Sequence, residues 1–339
     1  MIHKKPRLKK CGLLFLTRLL NTMSDCQNRD SGRGSCSSKN LGKESINCET
    51  LDHGPMVSVY MPTHNREHLL KRAVESVLAQ TYQNFELIIV DDGSRDGSPD
   101  YLQSLASSEP RVRFFCQPIA QGACAARNIA IKEAKGKYIT GLDDDDEFLP
   151  NRLEQLLSSY DEKYAFVCQG TFWHYGSHKK ALDANAMIIN LSQMLDYNYS
   201  TNQVLTETKR LQSIGGFNPE FPACQDYDTW TRLILKYGAA KRIAGASYII
   251  HQGHEGPRII SKSNMQRGYK KFSEEYGSLM SKGNRINQKY LALVSSRKRF
   301  KLLDFFQSVR YGLVVKKCRY LLSSNLKLLS KLRSKWLRG

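Results

Sequence analysis

Phe85-Glu-Leu-Ile-Ile-Val-Asp-Asp-Gly-Ser94 and Tyr138-Ile-Thr-Gly-Leu-Asp-Asp-Asp-Asp-Glu147 share one pattern: a short apolar run that ends on a cluster of carboxylates. Runs of this length rich in β-branched and aromatic residues read as buried strands, and Gly93-Ser94 supplies the turn that closes the first. Working outward, Val57–Met61 is another short β run, ended by Pro62, and Val112–Cys116 is a further one. Between them Leu69, Leu70, Ala73, Val74, Val77 and Leu78 recur at helical spacing, Ser98-Pro99 suits the N-cap and first position of a helix, and Ala123–Ala134 reads as a helix closed by Gly136. Asn151–Tyr160 and Asp226–Tyr237 complete the helical segments, the latter with Trp230, Leu233, Ile234 and Tyr237 on one side and Gly238 as its stop, and Ile243–His251 reads as a last strand. Strands separated by helices of this length imply right-handed crossovers and an α/β fold built on a largely parallel, Rossmann-like sheet. Residues 164–221 give no clear pattern of either period.

In an open sheet of this kind ligands sit beyond the carboxyl ends of the strands, where the strand order reverses. Asp91, Asp92 and the run 143–147 fall at such ends. The glycine-rich loops that commonly cradle phosphates are missing, with neither G-x-G-x-x-G nor G-x-x-x-x-G-K-[ST] anywhere. A hard divalent cation held by carboxylates can take that role, because Mg²⁺ and Mn²⁺ bind one or two carboxylates and fill the remaining positions with phosphate oxygens and water.

An acidic turn taken alone is most often a solvated surface feature. A calcium loop would use Asp143, Asp145, Glu147 and Glu154 at its first, third, fifth and twelfth positions, but it needs glycine at the sixth, where Phe148 stands. Five carboxylates in a row after a buried strand repel one another, which argues for a cation among them.

Six motifs in order give the chain its family resemblance: Val57-Ser-Val-Tyr-Met-Pro-Thr-His-Asn-Arg66, Ile89-Val-Asp-Asp-Gly-Ser94, Gly122-Ala-Cys-Ala-Ala-Arg-Asn128, Gly136 through Asp146 with Pro150, Gly215-Gly-Phe217, and Gln225-Asp-Tyr-Asp-Thr-Trp-Thr-Arg232. Over about 55–260 the chain resembles family 2 glycosyltransferases, inverting enzymes of the GT-A fold. The resemblance implies that Pro62 and Thr63 line the nucleotide base pocket, that Asp91 or Asp92 bonds the base, and that Arg127 balances phosphate charge. It implies a D-x-D pattern on Asp143 and Asp145, with Asp145 the direct ligand of Mn²⁺ or Mg²⁺ and Asp144 near the ribose. His251, in the sequence His251-Gln-Gly-His254, is implied as a further contact to the metal or diphosphate. Asp226 falls on the position of the catalytic base, a role a carboxylate can fill by taking the acceptor hydroxyl's proton. Asp is also a good helix cap, and the two roles are compatible. The family's usual Glu before this Asp is Gln225 here. The implied reaction is transfer of a single hexose, from UDP-glucose or UDP-galactose, to a hydroxyl of a lipid-linked or lipopolysaccharide glycan. The competing readings are a catalytically impaired nucleotide-sugar-binding protein of the same fold, and a nucleic-acid-associated protein acting through its basic tail; the near-neutral middle of the chain disfavours nucleic acid as the partner of the core.

The net charge of +19 sits at the ends. From Lys289 onward fourteen lysines and arginines face a single acid, Asp304, and apolar residues interleave with them. Such a segment suits an anionic membrane surface. We therefore expect a disordered leader over 1–54, rich in Ser, Asn, Gly and charge (Met56 is a conceivable start), a catalytic domain over 55–260, and a basic helical extension over 261–339, with truncation after about Gly283 leaving a soluble catalytic domain that no longer binds anionic membranes. Nine scattered cysteines without a C-x-x-C pair fit a reducing cytosol, and no apolar run is long enough to span a bilayer. The expected location is the cytoplasm, peripheral at the inner face of the cytoplasmic membrane.

Overall fold

The computed structural model describes residues 54–176, 178–252 and 262–326. The leader expected over 1–54, His254 and the last thirteen residues fall wholly or almost wholly outside that range. β1 (Val57–Thr63), α1 (Glu67–Leu78), β2 (Phe85–Asp91), α2 (Ser98–Ser108), β3 (Val112–Cys116), α3 (Ala123–Glu133) and β4 (Tyr138–Gly141) alternate as the sequence predicts. The strands lie in the order β3-β2-β1-β4, all parallel, with β9 (Thr206–Glu207) antiparallel at the edge. Every residue of β1 and β2 is buried, as a parallel sheet covered on both faces requires. Alternation along β1 sends Val57, Val59 and Met61 into one core with Leu70, Val74 and Val77 of α1, and Tyr60 into the other with α3 and Phe217.

The order reverses between β1 and β4, so the crevice expected from the sequence opens between Thr63 and Asp143. A second sheet runs β5-β10-β6-β7, from β5 (Glu147–Phe148), β6 (Val167–His174), β7 (Lys179–Leu182) and β10 (Ala240–His251), with β8 (Met187–Ile189) also paired to β10. α4 (Arg152–Ser158), α5 (Leu191–Asp196), α6 (Thr208–Ser213) and α7 (Gln225–Tyr237) complete the body. Trp230 of α7 is wholly buried against Phe166 and Phe217, which fixes the helix to both sheets' shared core.

Two local expectations need correction. Ser98 is not the cap of α2: Gly97 takes that place, and Ser98 and Pro99 are the first two residues of the helix. α7 begins at Gln225 with Cys224 as its cap in a left-handed conformation (φ 63°), so Asp226 lies inside the first turn rather than capping it.

α8 (Lys262–Glu275), α9 (Lys282–Ser295), α10 (Leu302–Val309) and α11 (Val314–Asn325) follow. α9 is bonded into the body. Asn284 and Asn287 donate to Asp196 at 2.7 and 2.8 Å, and Gln288 donates to the Leu195 carbonyl and the Tyr227 hydroxyl at 2.7 and 2.8 Å. All three are buried, so the structure argues against a cut near Gly283 leaving an intact body. No helix of the described residues is long and apolar enough to cross a membrane.

Candidate active site

Three strand ends build the crevice. At the end of β1, Pro62 and Thr63 are buried, and Thr63 is in register with Asp91 at the end of β2. Asp91 accepts from the backbone N–H of Ser94 at 3.2 Å and from its hydroxyl, the turn chemistry expected of Asp before Gly-Ser. Asp92 accepts from the Gln117 amide and from the N–H groups of Gln121 and Gly122, each at 2.7 Å. Its carboxylate thus ties the loop before α3 to the end of β2. Gly93 has φ +72°, and an added Cβ would lie 2.9 Å from the Ala120 nitrogen of that same loop. The turn therefore needs glycine twice over, for conformation and for space.

The acidic run beyond β4 is sorted by its surroundings. Asp143 pairs with Arg127 at 2.7 Å. Asp144 accepts from the Thr63 hydroxyl at 2.8 Å and pairs with Arg66 at 3.0 Å, and Arg66 also pairs with Asp145 at 2.9 Å. Asp146 is buried and accepts from the His251 N–H at 3.1 Å, which locks the loop to β10. Glu147 pairs with Arg72 at 3.1 Å and with the His251 ring. The expectation that only an added cation relieves this run is therefore corrected: guanidinium groups of the chain's own Arg66, Arg72 and Arg127 already do so. Burial pushes the Asp144 carboxyl up to about 6 against the pull of Arg66, and burial also raises Asp146 well above the ordinary carboxylate range.

Alternation decides what remains accessible. The Asp143 and Asp145 side chains keep 24% and 23% of their exposure, whereas that of Asp144 keeps 8%. Two reachable hard-oxygen carboxylates separated by one turned inward is a donor set that fits Mg²⁺ or Mn²⁺ carrying further oxygen ligands. His251 is the last residue of β10. Its ring contacts Glu147 and the His174 ring, with 3.1 Å between the two Nδ1 atoms. Among the described residues no three His, Cys, Asp or Glu side chains form a ready-made metal cluster.

Asp226 sits across this crevice, half-buried in the first turn of α7. Asn198 donates to its Oδ2 at 2.9 Å. Burial raises the Asp226 carboxyl to about 6, opposed by the Tyr227 N–H and Arg127 and reinforced by Asp143. Gln225 accepts from Arg127 at 3.4 Å and donates to the Phe221 carbonyl at 2.9 Å. Gln225 thus meets the guanidinium as a neutral partner and leaves its charge to Asp143. The sequence-derived candidates Thr63, Asp91, Asp92, Arg127, Asp143, Asp144, Asp145 and Asp226 all come together around one crevice. Sequence reasoning missed Arg66, Arg72 and Asn198 as organisers of these carboxylates. Arg66 closes the first motif and could have been noticed there; Asn198 lies in the stretch without periodicity and gave no signal.

A parallel sheet with an acidic loop at its switch point and a carboxylate facing that loop is the architecture of the GT-A fold. Solved structures agree on the fold. TarS of S. aureus in complex with UDP-GlcNAc aligns with a TM-score of 0.53 at 16% identity, over 83% of this chain and 92% of that one. The mannosyltransferase PcManGT from Pyrobaculum calidifontis, in complex with GDP-Man and Mn²⁺, aligns at 0.54 and 17% identity over 84% and 83%. The family model Glycosyl transferase family 2 matches residues 58–217. The putative colanic acid biosynthesis glycosyl transferase WcaA of Escherichia coli K12 is 37% identical over 71% of this chain and 87% of its own length. The chain belongs to glycosyl transferase family 2 and is a glycosyltransferase. The Escherichia coli protein named UDP-Glc:alpha-D-GlcNAc-diphosphoundecaprenol beta-1,3-glucosyltransferase WfgD is 41% identical over 30% of this chain and 40% of its own.

Proposed function

We propose that this enzyme transfers one hexose, with inversion, from a nucleotide diphosphate sugar to a hydroxyl of a lipid-linked or lipopolysaccharide glycan in bacterial surface-polysaccharide synthesis. The observation that carries the mechanism is the pairing, across one crevice, of a raised and oriented carboxylate, Asp226, with the Arg127–Asp143 ion pair. Asn198 holds Oδ2, which orients the carboxylate to take the proton of the acceptor hydroxyl as its oxygen attacks the anomeric carbon from behind. One base and one attack give inversion. Arg127, paired with Asp143, would balance donor phosphate charge, and Asp144, held by Thr63 and Arg66, would lie near the ribose. Pro62 and Asp91, with Asp92 bracing the loop behind them, form the wall on which the base would lie. A Mn²⁺ or Mg²⁺ held by Asp145 and Asp143 would offset the charge that builds on the leaving diphosphate.

WfgD is named for UDP-Glc and a diphosphoundecaprenol acceptor, and a Campylobacter jejuni relative is named GalNAc(5)-diNAcBac-PP-undecaprenol beta-1,3-glucosyltransferase. These names support UDP-glucose as the donor and a lipid-linked acceptor; UDP-galactose is the second choice of donor, and the cytoplasmic face of the membrane the proposed place. The test is a screen of nucleotide sugars against a panel of diphosphoundecaprenol-linked glycans with Mn²⁺. Transfer of glucose or galactose that EDTA abolishes is the expected result; full activity in EDTA would remove the metal from the mechanism, and transfer only to lipid-free acceptors would remove the acceptor class.

A further inference from the structure

Twelve large apolar side chains stand well exposed among the described residues, and seven of them fall within 302–326, so the exposure is concentrated rather than scattered. Leu302, Leu303 and Phe306 share one side of α10, at helical spacing. Val315 and Leu322 lie two turns apart on α11, with Val314 beside them. The inner sides are already used: Phe305, Leu313 and Tyr320 pack on Tyr290, Leu291 and Phe300. Buried Lys317 fastens α11 from beneath, donating to Asn287 at 2.7 Å and to the Ser308 carbonyl at 2.6 Å. α10 and α11 are thus apolar on both sides, which a helix facing only water is not.

The rim chooses the occupant. Arg297, Lys298, Arg299, Lys301, Arg310 and Arg319 are all exposed around this face, and Asp304 is the sole acid between 297 and 326. Between the two helices a groove is lined by Leu302, Leu321, Leu322 and Leu326 together with Arg299 and Lys301. A second copy of the chain docking by a two-fold axis would bring these cations against their own kind. A layer of anionic headgroups over acyl chains matches both the charge and the apolar centre.

We propose that α10 and α11 form a docking face for an anionic lipid bilayer, lying in the headgroup region with their apolar sides down. The proposal deepens the lipid-linked acceptor assigned above and rests on it for its purpose, though not for its geometry. The face is one helix away from the chemistry: α9 carries α10 and α11 on one side and bonds Tyr227, the neighbour of Asp226, on the other.

The test uses the full chain with vesicles of phosphatidylglycerol and phosphatidylcholine, against phosphatidylcholine alone, read by flotation. Wild-type protein is expected to float with anionic vesicles only and to be released as salt rises. Two variants are compared, Leu303→Gln with Phe306→Gln, and Lys298→Glu with Lys301→Glu. Each is expected to lower partitioning at least about tenfold while keeping the wild-type melting temperature and full transfer to a short, water-soluble acceptor analogue. Wild-type protein that stays off anionic vesicles, or floats equally with neutral ones, would overturn the proposal. So would a stable dimer by light scattering that the Leu303→Gln/Phe306→Gln variant dissociates, because the face would then be a self-interface. Loss of transfer by wild-type protein to the soluble analogue would count against the assigned reaction and leave the flotation result standing.

Discussion

Asp226 and Asn198 form a pair in which one residue carries the charge and the other aims it. Burial raises the Asp226 carboxyl to about 6, and a base works only when ionised, so kcat is expected to rise with pH through about 6 and to fall away on the acid side. The Asn198 amide donates at 2.9 Å to the charged form. Removing that bond disfavours ionisation, so Asn198→Ala should move the acid limb to higher pH and lower kcat, with donor KM little changed. A pH–rate profile decides between this role and a merely structural one: a limb that stays in place while only the melting temperature drops would make Asn198 scaffolding. Arg66 acts in the same way on Asp144 and Asp145. Arg66→Met leaves two partly buried carboxylates without their guanidinium, and weaker UDP binding by calorimetry is the expected readout.

At the scale of elements, α7 is held by Trp230, wholly buried between Phe166 and Phe217. Trp230→Ala should cost ~3–5 kcal/mol of stability, measured by denaturant titration, because a cavity of that size cannot fully collapse. An unchanged midpoint would mean that α7 is fixed by something else. The elements legible in the sequence were those whose own residues declare them. β1 to β4 are short aliphatic runs between helices of clear period, and β3 matches its predicted bounds residue for residue. Between 164 and 221 the strands β7, β8 and β9 are two to four residues long and α5 and α6 are six each. Elements that short carry no measurable period and are defined by partners far along the chain, such as β10, which pairs with β5, β6 and β8. The site was legible where charge clusters at strand ends. The arginines that balance those clusters were not, since Arg66 and Arg72 meet them only through the pairing of β1 with β4 and the packing of α1 on β5.

For the whole molecule, the proposed division is between the acidic crevice, which would handle the donor, and the basic helices, which would attach the protein to a surface. α9 joins them through buried amides, so truncation after about Gly283 should give protein with a lower melting point or none in solution, and removal of 1–53 should change neither melting point nor turnover, because β1 is already paired on both sides by β2 and β4. A leaderless protein that fails to fold would show that the first residues belong to the core. The proposed mechanism rests on Asp226 acting as base against a donor held by the opposite wall of the crevice. The most direct measurement is donor binding and turnover of Asp226→Asn side by side. The prediction is UDP-sugar affinity near wild type with kcat down roughly 10²–10⁴-fold, the usual contribution of a general base; turnover equal to the parent would contradict the mechanism.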